Sequence, residues 1–70
     1  MNSYGKVSRV LANVILFEGK EYPLHIAESD GQGHIRVYPF EKEVHSTVFM
    51  PGKVAISTDK DGNMVAVPVV

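Results

Sequence analysis

The chain has 70 residues and a mass of 7.7 kDa, which is enough for a single domain (residues 1–70) with one thin core. It contains no cysteine, so disulfide frameworks, thiolate nucleophiles and cysteine-bound metals are excluded. Seven Lys and Arg against eight Asp and Glu give a net charge of −1, which provides no general field for holding a polyanion. With 44% apolar and 21% charged residues, the composition is that of a folded domain.

The predicted elements are all strands. Eleven Val, four Ile and two Thr stand against three Leu and four Ala, and branching at Cβ favours a pleated backbone over a helix. Apolar residues alternate with a period of two and do not recur at helical spacing over any capped stretch. In chain order we predict six strands, at about residues 7–17, 22–28, 34–38, 44–50, 54–57 and 64–69.

Turn residues separate these strands. Gly, which adopts positive φ readily, or Pro, which presets φ, occurs at 18–21, 29–33, 50–53 and 58–63. Short connections join neighbours in space, so we predict an antiparallel meander of five to six strands, without a helix or an internal repeat. Such a sheet buries one face only if it bends over itself. The expected fold is therefore all-β, a small sandwich or a partly closed barrel.

The second hairpin has a predicted register. A four-residue loop at 29–32 places Ile26 opposite Ile35 and Leu24 opposite Val37, so that the apolar side chains share one face. A slip by one residue would mix apolar and polar side chains on both faces.

In this register His25, Arg36 and Tyr38 share the other face, which we interpret as a protein-binding surface. The alternative is weak binding of single-stranded nucleic acid by His25, Arg36, Tyr38 and Phe40, with bases stacked on the aromatic rings. Because Arg36 is the only permanent cation among them, we prefer a protein contact.

The candidate metal ligands are His25, His34 and His45. The first two are expected to be diagonal neighbours across the hairpin, but zinc sites need three or four ligands, so we predict neither a metal site nor a cofactor. The segment 59–63 has the spacing of a calcium loop but no Glu at the twelfth position, so we predict a hairpin turn there. No nucleophile elbow or phosphate-binding Gly loop occurs, and we predict that the protein is not an enzyme.

The C-terminal strand has no charged side chain from Met64 to Val70. An apolar strand at a sheet edge invites pairing with another chain, and Pro68 would mark the unpaired side. Two alternatives follow from this pattern. Either the strand is internal to its own sheet, or Val65, Val67 and Val69 form the interface of a symmetric homodimer.

Five stretches occur in a recognisable order: Leu-Ala-Asn-Val-Ile-Leu at 11–16, Glu-Gly-Lys at 18–20, Ser-Asp-Gly at 29–31, His-Ile-Arg-Val at 34–37 and Phe-Met-Pro-Gly at 49–52. Over about forty residues this order resembles the small N-terminal β-sandwich segment of amidohydrolase-superfamily enzymes. Those enzymes carry a metal-binding Asp and His-x-His after the Pro-Gly, where this chain has Lys-Val-Ala-Ile-Ser. The resemblance therefore implies a free-standing β domain without activity.

These patterns together predict a non-enzymatic β module that acts through protein–protein contact or self-association. No apolar run approaches the roughly 20 residues that cross a bilayer, and no signal pattern is present at the N-terminus. We therefore expect a cytoplasmic protein that does not bind membranes.

Overall fold

The computed structural model describes residues 8–42 and 47–69. Within them the chain forms one five-stranded sheet in the order β3-β2-β1-β4-β5, with no helix, which confirms the all-β class. The strands are β1 (Arg9–Phe17), β2 (Lys20–Ser29), β3 (Ile35–Pro39), β4 (Val48–Thr58) and β5 (Met64–Pro68). None of the described residues forms a helix that could cross a membrane. Positions 44–46 of the fourth predicted strand lie outside the described residues.

The predicted meander is wrong in one step, because β1 and β4 pair in parallel. The other three pairs (β1–β2, β2–β3 and β4–β5) are antiparallel, so the sheet is mixed. The chain leaves β3 at one edge and enters β4 on the far side of β1. A tight turn forces the two strands that it joins to be neighbours. The connection between β3 and β4, at 40–47, is longer and imposes no such constraint.

A β-bulge joins two of the predicted strands into the single strand β4. Between Ala12 and Val14 of β1 the register with β4 shifts by one residue, so that Pro51 and Gly52 lie opposite Asn13. The Gly52 N–H donates to Asn13 Oδ1 at 2.6 Å, and Gly52 has a φ of 90°. Pro is tolerated inside strands at bulges. The turn expected at this position is therefore wrong, although a positive φ at Gly52 is present.

The core lies on one face of the sheet and draws on four strands. Its buried cluster consists of Val10, Ala12, Ile15, Ala27, Val54, Ile56, Met64 and Ala66, with Ile35 and Val37 of β3 packed against it. Ile26 is also buried but does not belong to this cluster. Along β1 the spacing of core residues changes from two to three at Asn13. Asn13 also faces Leu24 of β2, whose φ is 52°. The strands therefore change which face they bury at this level of the sheet.

The sheet is strongly coiled around its core. The Cα atoms extend over 28 × 26 × 23 Å. Even the smallest of these dimensions exceeds the spacing of about 10 Å between two stacked flat sheets, so this single sheet cannot be flat. The β2–β3 and β4–β5 loops belong to diagonally opposite corners of the sheet, yet they meet at Gly33 and Gly62. A Cβ on Gly62 would lie 3.4 Å from the Gly33 backbone nitrogen. Coiling thus brings the two hairpin loops together.

The two loops share one pattern of hydrogen bonds. In each, an Asp Oδ1 accepts from the backbone N–H groups two and four residues later. The pairs are Asp30 with Gln32 (2.7 Å) and His34 (3.2 Å), and Asp59 with Asp61 and Asn63 (both 2.9 Å). This is the Asx-type turn expected of a hairpin and not a calcium loop at 59–63.

The hairpins β2–β3 and β4–β5 resemble each other in their loops and in the spacing of a few residues. Twenty-nine residues separate Asp30 from Asp59, Gly33 from Gly62 and Pro39 from Pro68. Only these three residue types coincide between positions 30–39 and 59–68, which is too few to recognise without the shared hydrogen bonds.

Candidate functional site

The C-terminal strand β5 forms one edge of the sheet. Within the described ranges β4 is its one strand neighbour, through pairs running from Val54–Pro68 to Thr58–Met64. Of the two alternatives drawn from the sequence, the internal strand is therefore wrong for this part of the chain.

Hydrogen bonds at the two ends of β5 show which backbone groups point away from β4. The Asp59 N–H donates to Asn63 O at 2.9 Å, and the Val69 N–H donates to Lys53 O at 2.8 Å. In an antiparallel ladder the backbone groups of alternate residues bond to the neighbouring strand. The backbone N–H and C=O groups of the odd-numbered residues of β5 therefore point toward β4. The outward backbone groups, which we call the β5 edge, belong to Met64, Ala66 and Pro68.

The side chains of β5 divide between the two faces of the sheet. Met64 and Ala66 lie in the core. Val65 is half-buried on the outer face, where Val67 and Val69 are 48% and 42% exposed. The three valines predicted for self-association thus lie on one face of an edge strand that carries no charged side chain.

The opposite edge of the sheet, β3, has the equivalent arrangement. The Asp30 N–H donates to His34 O and the Phe40 N–H to Leu24 O, both at 3.1 Å. By the same alternation, the outward backbone groups, which we call the β3 edge, belong to Ile35, Val37 and Pro39. Within the described residues, each edge strand therefore ends in a proline that has no N–H to offer, a common protection of edge strands.

A polar cluster on the outer face, the Glu28 cluster, consists of Glu28, Arg9, Arg36 and Tyr38. Arg9 Nη2 lies 3.2 Å from Glu28 Oε2, and the Tyr38 hydroxyl donates to Glu28 Oε1 at 2.6 Å. Arg36 Nη2 lies 3.5 Å from the same Oε1, and its guanidinium carbon lies 5.5 Å from the centre of the Tyr38 ring. One carboxylate therefore binds three neighbours.

The cluster shifts the titration of its own members. The hydrogen bond from Arg9, followed by that from Tyr38, lowers the pKa of Glu28 below its usual 4.5. Burial, followed by the hydrogen bond to Glu28, raises the pKa of Tyr38. Both shifts favour the state in which Glu28 is ionised and Tyr38 is protonated.

The register of β2 with β3 differs from the prediction by three residues. Ile26 pairs with Tyr38, where Ile35 was expected. An odd shift exchanges the two faces of a strand, so Ile26 lies beside Tyr38 and Arg36 on the outer face. His25 does not share that face with them. The surface predicted from His25, Arg36 and Tyr38 together is thus divided between the two faces.

His25 has its own set of neighbours. It pairs with Ala12 on one side and Pro39 on the other. Its ring lies 5.3 Å from the ring of Tyr22, and its Nδ1 lies 2.8 Å from Pro23 O, a distance at which the nitrogen donates. These contacts of His25 stabilise the irregular segment around Leu24.

The histidines do not form the expected diagonal pair. His34 lies in the β2–β3 loop, where its Nδ1 is 2.8 Å from Asp30 Oδ2, whereas His25 is near the middle of β2. His45 lies outside the described residues. Among the described ones, no group of three or more His, Cys, Asp or Glu side chains could hold a metal ion.

A groove of about 630 Å³ lies where the hairpin loops approach each other. Its lining comes from the ends of three strands and the adjoining turns: Phe17, Glu18, Gly33, His34, Ile35, Ile56, Ser57 and Thr58. His34 is bound to Asp30, but its side chain is 79% exposed, so nothing shields this pair from water. The groove has no buried polar group that would orient a substrate.

The comparisons with known proteins give no further assignment. No family model, curated protein or solved structure matches the chain. The resemblance to the amidohydrolase N-terminal segment stays a prediction. Its Pro51-Gly52, expected at the end of a strand, lies inside β4.

Sequence reasoning missed the central residue of the polar cluster. From the sequence alone Glu28 is only a negative charge at the end of the second predicted strand, because its partners Arg9 and Arg36 lie on other strands. One signal could have linked Arg9 to Glu28. In an antiparallel hairpin of β1 and β2, the Arg-x-Leu that begins β1 lies opposite the Ile-x-Glu near the end of β2.

Proposed function

We propose that this protein is a small non-enzymatic β module that acts by self-association through its C-terminal strand. The observation that carries the proposal is the position of β5 at an edge of the sheet with no charge from Met64 to Pro68. Natural edge strands are normally protected by charged side chains, proline, bulges or covering segments, and among the described residues β5 has only Pro68, at its end. An uncharged edge with exposed valines is suited to pairing with another strand.

The other edge of the sheet supports β5 as the contact. Strand β3 carries Arg36, and Glu41 and Lys42 follow it in the chain. Burial of those charges against a partner would cost free energy unless each found a counter-charge. The β5 edge carries no such cost.

The geometry does not favour single-stranded nucleic-acid binding by His25, Arg36, Tyr38 and Phe40. The Glu28 carboxylate lies between Arg36 and Tyr38 and binds both. A phosphate placed at Arg36 would meet this ionised carboxylate, whose negative charge opposes its approach.

The test is the molar mass in solution, measured by light scattering over a range of protein concentrations. We expect the mass of the natural chain to rise from 7.7 kDa toward twice that value. Val67→Glu places a carboxylate on the uncharged edge strand and should keep the protein monomeric. Leu24→Glu is the matched control, because Leu24 is 49% exposed but lies on β2; its mass should rise as in the natural chain.

Circular dichroism spectra of both variants would verify that they are folded, as expected for substitutions at half-exposed positions. A natural chain that stays at 7.7 kDa at every concentration contradicts self-association. Equal dimerisation of the two variants would place the contact away from β5.

The approach of Gly33 to Gly62 at opposite corners of the sheet supports a partly closed barrel over a two-layer sandwich. The cytoplasmic location expected from the sequence stays a prediction.

A further inference from the structure

We infer that two copies of this chain pair antiparallel through β5 in one register, with Val65 opposite Val65 of the second copy. The inference rests on the proposed self-association and adds the partner and the alignment. It follows from the hydrogen-bonding groups that the β5 edge offers and from the side chains that each alignment brings together.

The β5 edge offers a short set of backbone groups. Met64 and Ala66 each present an N–H and a C=O, whereas Pro68 presents a C=O alone. At the start of the strand, Gly62 lies against Gly33 of the neighbouring loop. The groups available for a full ladder are therefore those of Met64 and Ala66.

One antiparallel alignment satisfies all of these groups. With Val65 on the two-fold axis, Met64 exchanges both hydrogen bonds with Ala66 of the second copy, and Ala66 does the same with Met64. Four hydrogen bonds form, and Pro68 falls beyond the ladder, opposite Gly62. With Ala66 on the axis instead, four hydrogen bonds also form, but Pro68 then lies inside the ladder opposite Met64, and each Met64 carbonyl lacks an N–H. Proline thus selects the Val65-centred register.

Side-chain pairing favours the same edge. In the Val65-centred register two valines face each other on the outer side of the joined sheet, and apolar β-branched pairs stabilise such ladders. The equivalent pairing of two β3 edges would centre on Arg36 and place two guanidinium groups directly opposite each other, which is destabilising. The sheet therefore has one self-complementary edge and one self-repelling edge.

The pairing closes after two copies. A two-fold contact uses the same strand from each chain, so the product is a dimer with one continuous ten-stranded sheet and a β3 edge at either end. Because the ladder is short, we expect a weak dimer whose population depends on concentration.

The test uses single cysteines in a chain that has none of its own. Val65→Cys places two thiols opposite each other at a non-hydrogen-bonded pair, where Cα atoms are about 4.5 Å apart and a disulfide can form. Val67→Cys is the matched control, because in this register the two copies of residue 67 are offset by four residues, roughly 13 Å along the strands. An equal mixture of the two variants reports the alternative register, in which residue 65 faces residue 67.

Mild oxidation followed by non-reducing electrophoresis gives the result. We expect Val65→Cys to move into a covalent dimer band and Val67→Cys to remain a monomer. If the mass measurements show a dimer but only the mixture crosslinks, the register is wrong while self-association stands. If the uncrosslinked chain is monomeric at every concentration, both the register and the proposed function are contradicted.

Discussion

Glu28 shows how a single residue organises the outer face of the hairpin. Its side chain is only 22% exposed, and its carboxylate binds Arg9 of β1 and both Tyr38 and Arg36 of β3. Hydrogen bonds to an ionised group are stronger than those between neutral groups. Glu28 therefore links β1, β2 and β3 through side-chain contacts on the face opposite the core.

The Glu28 cluster predicts a dependence of stability on pH. Because the pKa of Glu28 is lowered in the folded chain, its stabilising contribution is complete above the unfolded value of 4.5 and is lost as the pH falls through the folded value. Glu28→Gln should lower the free energy of unfolding at pH 7 by about 1 kcal/mol and flatten its decline toward pH 3. Urea titrations at both pH values measure this.

Glu21→Gln is the control for that comparison. Glu21 also lies near a cation, Lys53 Nζ at 3.4 Å, but its side chain is 63% exposed. Exposed pairs of this kind contribute little to stability, so the curve of this variant should follow the natural one. An unchanged pH dependence in Glu28→Gln would show that the cluster does not stabilise the fold.

At the scale of elements, the two hairpin loops depend on their aspartates. Asp59 Oδ1 accepts the N–H groups of Asp61 and Asn63, each at 2.9 Å. Asp59→Ala removes the oxygen that accepts from both N–H groups and should lower the free energy of unfolding by about 1–2 kcal/mol. Asp61→Ala keeps the backbone N–H and exposes a similar surface, so it should change stability by less than about 0.5 kcal/mol. Equal denaturant midpoints for the two variants would contradict this assignment.

The elements also show how far local sequence patterns reach. The β-branched composition and the turn residues predicted two strands joined by a turn at Glu18-Gly19. In the structure β1 and β2 lie on either side of this turn. The bulge at Gly52 was not separable from a turn, because both require a positive φ. What decides between them is the side chain of Asn13, which is distant in sequence.

The prediction of the register between β2 and β3 was wrong for a related reason. Alternation of apolar residues fixes which residues share a face of one strand, but not the length of the loop between two strands. Asp30 extends the pairing through Ser29–Ile35 by bonding to the loop backbone. For the candidate site, the uncharged C-terminal strand was visible in the sequence, whereas its place at an edge depends on the parallel pairing of β1 with β4.

At the scale of the whole molecule, the order and directions of the strands have a two-fold pattern, with one outer hairpin on either side of β1. Strands β2 and β4 flank β1 and run in opposite directions, as do β3 and β5 at the edges. A sheet of this symmetry has two equivalent edges, and two self-complementary edges would build an unending ribbon. In the proposed dimer, the difference between Arg36 and Val65 at corresponding positions of the two hairpins would limit assembly to two copies.

Arg36→Val tests this directly, because it gives β3 the same central residue that β5 already has. Arg36 is 74% exposed and its ion pair is long, so the fold should tolerate the change. Each chain would then present two self-complementary edges, and alternating β5–β5 and β3–β3 contacts would extend without closure. Light scattering should show a mass that grows beyond a dimer with concentration. Arg36→Lys keeps the charge and should remain at the dimer limit; a variant Arg36→Val that also stops at two copies would show that Arg36 does not restrict assembly.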